Sequence, residues 1–168
     1  MSRGLPFDPV LRARDLWAEH GWSSAADGMA AVTSLMRAQQ VVAARTAEAL
    51  RPTGLTFARY ELLMLLLFSR EGRLSMGKAS ARLQVHPTSV TNAVDRLAAA
   101  GLVERAPHPT DGRATLVVLT EQGRTTALRA TELLNEQVFA VPGLAPERVH
   151  ELVDVLTDLR RTAGDFEA

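Results

Sequence analysis

Thr88, Asn92 and Arg96 fall at every fourth position of the stretch PTSVTNAVDRLAAA, so a helix there carries all three on one face, with Asp95 beside them and Ser89 and Thr91 on the flanks. Their chemistry is that of base-edge recognition. An arginine can bond guanine bidentately, an asparagine can do the same with adenine, and a threonine can meet either a phosphate or a thymine methyl. The opposite face is apolar: Val90, Val94 and Leu97 stand at i, i+4 and i+7 and predict one inward stripe. A polar outer face alone also fits a solvated surface helix, so the neighbouring elements must decide.

A second group lies downstream, in HPTDGRATLVVLT. The turn residues of PTDG let the chain reverse, and Asp111 can bond nearby backbone or hold Arg113, two residues on. A guanidinium projected from such a tip suits the narrow, electronegative minor groove of A·T-rich DNA. Taken alone, DGR reads as an ordinary hairpin loop with a solvated arginine.

The punctuation around these groups supplies a scaffold. Ser75 is a good N-cap for the short helix MGKASARL, Pro87 suits the first position of the next helix, and Gly101 ends that helix at C′. LVERAP and RATLVVLT follow as two short strands joined by the loop. Short helix, tight turn, helix and hairpin, in that order, make a winged helix-turn-helix, which lays one helix in the DNA major groove.

Helices are expected on both sides. Asp8 and Pro9 open one that Gly21 stops, with Val10, Ala13 and Trp17 on one face. After the polar joint SSAADG, an amphipathic helix runs from Met29 to Leu50, ended by Pro52 and Gly54. The segment from Thr56 to Arg70 is apolar nearly all round over its second half and should be the central helix. Thr120 begins a helix to about Val141, and a last one from Glu147 to about Arg161 sets Val149, Leu152, Val153, Leu156 and Leu159 on one face.

Composition bounds the rest. The 168 residues fit one ordinary domain, and 46% hydrophobic with 5% aromatic residues predicts an aliphatic core. The absence of cysteine excludes disulfides, thiol redox sensing and thiolate metal sites. His20, His86, His108 and His150 are scattered without metal-ligand spacing, so no metal or other cofactor is expected. No nucleophile elbow, Walker loop or His-Asp-Ser set is present, and an enzyme is not expected. No signal-like or membrane-spanning run stands out, which makes a cytoplasmic protein with no membrane partner the expectation. Nineteen bases balance nineteen acids overall, yet between Arg73 and Arg124 there are seven bases and four acids.

The run LSMGKASARLQVHPTSVTNAVDRLAAAGLVERAPHPTDGRATLVVLTEQG resembles the DNA-binding module of the MarR family of bacterial transcriptional regulators, above all in VTNAVDRLAAAGLVER, the D-x-R wing and the strand ending LTEQG. With LTFARYELLMLLL and the flanking helices, the resemblance reaches from Met29 to Arg161. It implies a mainly α fold with a small β-hairpin: an N-terminal extension with a short helix over 1–26, a helical dimerisation region over 27–54 and 120–168, and a winged helix-turn-helix lobe over 55–119, all one continuous domain. It implies a homodimer on double-stranded DNA, acting on an inverted repeat with half-sites about 10 bp apart, with repression the commoner mode.

Carried across, base reading falls to Thr88, Ser89, Thr91, Asn92 and Arg96, minor-groove contact to Arg113 aimed by Asp111, and phosphate contact to Lys78 and Arg82. His86 stands before Pro87 where the family often has serine, and histidine is the weaker N-cap. Members of the family commonly respond to small anionic aromatic effectors. Trp17, His20, Arg37, Arg59, Tyr60 and Met64 are the candidates here for apolar walls and neutralising cations. The rival reading is a dimeric winged-helix protein-interaction module without DNA binding, and the neutral net charge is what favours it.

Overall fold

A computed structural model of the chain describes residues 4–109 and 114–167. Its contacts separate a unit ending at Thr46 from a second unit that begins at Ala47.

The first unit is helical. Helix α1, Pro9–Glu19, starts because the Asp8 carboxylate accepts from the Val10 N–H at 2.8 Å while Pro9 takes a position whose N–H would be unbonded anyway. Helix α2, Ser23–Leu50, continues into the second unit. It begins earlier than its apolar spacing suggested. SSAADG is helical, because it contains no proline and its single Gly28 costs a helix only about 1 kcal/mol. Val32, Leu35, Met36 and Val42 are exposed along α2.

The second unit holds the core. After a 3-10 turn at Arg51–Thr53, helix α3, Phe57–Leu67, buries Tyr60, Leu62, Leu63 and Leu66, and Thr56 caps it. Strand β1, Arg73–Ser75, leads straight into helix α4, Met76–Leu83, whose first turn is capped by Ser75 Oγ. Helix α5, Pro87–Ala99, ends at Gly101, whose φ of +70° favours glycine. Strands β2, Val103–Pro107, and β3, Thr115–Leu119, follow.

The sheet has three antiparallel strands in the order β1-β3-β2, so the sequence reading missed one. β1 has only three residues, too few for a period-two pattern, and it pairs through Leu74 opposite Val117. In the other pair, Arg105 lies opposite Val117 and Val103 opposite Leu119. Leu62, Leu63, Leu66, Val90, Val94, Leu97, Val103 and Val117 close an aliphatic core between α3, α5 and the sheet.

Helix α6, Glu121–Leu134, is capped by Thr120 and runs on as a π-helical turn over Asn135–Phe139, within the single helix expected there. Its start is tightly packed. A Cβ on Gly123 would lie 1.9 Å from the Leu102 carbonyl oxygen, a distance no side chain can occupy. Helix α7, Pro146–Thr162, buries none of its residues, and Leu152, Val153, Val155 and Leu159 stay exposed.

Candidate nucleic-acid interface

Helices α4 and α5 meet across a short turn. Gln84 takes a left-handed conformation at φ +53°, and Ser80 Oγ donates to the Val85 carbonyl at 2.6 Å, closing the turn from within. Despite its rank as an N-cap, His86 does cap α5. Its Nδ1 accepts from the Thr88 N–H at 3.2 Å, which requires Nδ1 to be unprotonated.

The two faces of α5 separate as the spacing predicts. Val90, Val94 and Leu97 are buried, while Thr88, Ser89, Thr91, Asn92, Asp95 and Arg96 are exposed. Thr91 Oγ1 donates to the Pro87 carbonyl at 3.1 Å, so its outward-facing chemistry is a methyl and an acceptor. Asp95 is engaged by Arg105 of β2 at 2.6 Å, a pair that ties the helix to the hairpin. Sequence spacing did not single out Arg105, because a helix residue and a strand residue ten positions apart meet only through the folded turn at Gly101.

Among the described residues at least nine arginines are ion-paired with carboxylates, including Arg73 with Glu71 and Arg124 with Glu121. Arg70, Lys78, Arg82 and Arg96 form no ion pair among the described residues. Lys78 and Arg82 lie on the exposed side of α4 and line an open cavity of about 420 Å³ with Arg70, Arg73, His108 and Leu116. The His108 N–H bonds the Ala114 carbonyl at 3.2 Å and holds the neck of the hairpin. Asp111 and Arg113 lie outside the described residues.

The candidate effector residues are distributed over both units. In the first, Trp17 and His20 line an apolar cavity of about 270 Å³ with Trp22, whose ring meets Trp17 edge-on at 4.9 Å. Arg37, on α2, donates to Gln40 and is not part of that cavity. In the second unit Tyr60 is buried, with its hydroxyl 3.1 Å from Thr131 Oγ1, and Met64 Sδ accepts from the same threonine. Arg59 Nε donates to Thr56 Oγ1 at 3.1 Å. Desolvation raises the Glu61 carboxyl on α3 above its ordinary 4.5.

Among the described residues there is no group of three or more His, Asp or Glu placed to hold a metal ion. No helix there is long and apolar enough to cross a membrane.

The helix pair, the hairpin and the three-stranded sheet define the winged helix-turn-helix class. Residues 53–114 match the MarR family model. Sco5413, a MarR family transcriptional regulator from Streptomyces coelicolor, is 46% identical, with a TM-score of 0.77 over 84% of this chain and 99% of that one. The uncharacterized HTH-type transcriptional regulator Mb0904 of Mycobacterium bovis is 33% identical over 106 residues, 63% of this chain and 69% of the relative. The transcriptional repressor CouR, solved bound to a 23-mer DNA duplex, is 25% identical with a TM-score of 0.69, over 75% of this chain and 89% of that one. This chain belongs to the MarR family of transcriptional regulators.

Proposed function

We propose that the protein is a sequence-specific DNA-binding repressor that acts as a homodimer on an inverted-repeat operator. The observation that carries the reading is the outer face of α5, where Asn92 and Arg96, the latter without an ion pair among the described residues, stand exposed above a buried Val90, Val94 and Leu97 stripe. Thr88, Ser89, Thr91, Asn92 and Arg96 read bases, Lys78 and Arg82 contact phosphates, and Arg113, aimed by Asp111, enters the minor groove. The repressor assignment draws support from CouR, a repressor bound to DNA. The exposed apolar residues of α2, and separately those of α7, are faces that a second copy would cover, which supports 27–54 and 120–168 as the dimerisation region.

Release by a small anionic aromatic ligand completes the proposal. Trp17 and His20 offer it an apolar cavity within the first unit.

Salt titration tests the reading against a protein-interaction module, which the zero net charge favours. Affinity for DNA from the protein's own upstream region should fall steeply as salt rises, with several phosphates neutralised per dimer. Affinity that is absent or indifferent to salt would sink the repressor assignment. Binding-site selection should return an inverted repeat with half-sites about 10 bp apart.

A further inference from the structure

The cavity between α4 and the base of the hairpin is lined by Arg70, Lys78 and Arg82, none of which has a carboxylate partner among the described residues. Among the described residues its one lining carboxylate, Glu71, is already taken by Arg73. Three unneutralised cations around one hollow repel one another until an anion sits among them. The walls are not purely polar. Leu74 and Leu116 are buried beneath the hollow, and the Phe68 ring, 78% exposed, stands at its rim. At 420 Å³ the space lies within the range of about 300–1,000 Å³ typical of small-ligand sites.

We propose that this hollow is an oxyanion site, taking a phosphate or carboxylate between Arg70, Lys78 and Arg82 with its less polar body against Phe68 and Leu116. Two sources carry such a group: a phosphodiester of bound DNA and a free organic oxyanion. Lys78 and Arg82 are also the phosphate contacts of the proposed function, so the two sources compete for the same cations. The DNA source rests on that function, whereas the free-oxyanion source does not.

Arg70 lies outside the proposed base and phosphate contacts, which makes it the residue to vary. Phenyl phosphate is titrated by calorimetry into the DNA-free protein at matched ionic strength, with inorganic phosphate as the ringless comparison. In parallel, the salt dependence of affinity is measured on a selected operator duplex. For a free oxyanion, Arg70→Ala weakens phenyl phosphate binding at least tenfold and Arg70→Lys restores most of it. For a DNA phosphate, the log–log salt slope of Arg70→Ala drops by about 0.9 per protomer and returns in Arg70→Lys. Either response supports the site. If Arg70→Ala, with an unchanged melting temperature, matches the wild type in both measurements, the oxyanion site is overturned. That failure is distinct from failure of the regulator reading, in which the wild type itself shows no salt-dependent DNA binding.

Discussion

Among the described residues Arg96 has no ion-pair partner, whereas at least nine other arginines are paired with carboxylates, and Asn92 stands one helical turn before it with no partner there that would mask its amide. Asn92→Ala should therefore weaken operator binding by about 1–3 kcal/mol and relax preference at one symmetric base position, as read by competition between duplexes varied at each position. Unchanged selectivity would take Asn92 out of the reading set. Arg113→Ala should lose most affinity on operators with A·T-rich outer flanks; an equal loss on all flanks would contradict minor-groove contact. The division of α5 into faces was legible because Val90, Val94 and Leu97 repeat with the helix itself. The Asp95–Arg105 pair was not, because its distance is set by how β2 returns beside α5. Both partners are about half exposed, so the pair adds little stability.

At the scale of elements, caps and breakers were the most readable signals. Asp8, Thr56, Ser75 and Thr120 each accept a backbone N–H from the first turn they precede. β1 was hidden because three residues carry no periodicity, and SSAADG misled because small polar residues suit a first turn as well as a joint. Gly123 shows a tertiary demand that local sequence cannot reveal. Gly123→Ala should destabilise the fold by about 1–3 kcal/mol in denaturant unfolding, since the carbonyl of Leu102 cannot move without breaking its bond from the Thr120 N–H. On α3, the folded state holds the Glu61 proton more tightly than the unfolded chain does. Its ionisation therefore removes stability as pH rises from 4.5 through the raised value, and the loss persists above it. Glu61→Gln should raise the melting temperature at pH 7 and leave it unchanged at pH 3.5; no gain at neutral pH would contradict the desolvation of this carboxyl.

For the whole molecule, the apolar residues that stay uncovered on one chain, such as Met36 at 63% and Val153 at 55% exposure, are the strongest argument for a second copy. Met36→Glu combined with Val153→Glu should shift the protein towards monomers in sedimentation and reduce operator affinity, because one recognition helix then binds without its twin. A dimer that persists in this variant places the interface elsewhere. The amphipathic pattern of these helices was readable, but a pattern cannot distinguish a face buried by its own chain from one awaiting another.

The start of α6 links these scales. The Leu102 N–H bonds the Leu97 carbonyl at 2.9 Å, Thr120 Oγ1 donates to the Gly101 carbonyl at 2.8 Å, and the Thr120 N–H reaches Leu102 at 3.2 Å, so the end of α5 and the beginning of α6 share one joint. Fourteen residues of α6 span about 21 Å, and its buried Ala127, Ala130 and Leu134 hold it in the core along that length. If the protein is the proposed dimer, a joint this short passes a rotation of the paired helices on to the two recognition helices with little slack. Distances between spin labels at Ser89 of the two protomers would report this. Thr120→Val, which removes the bond to Gly101, should broaden them, and an unchanged distribution would dismiss this coupling. The close packing at Gly123 leaves no slack against the carbonyl of Leu102, so the joint is a weld rather than a hinge.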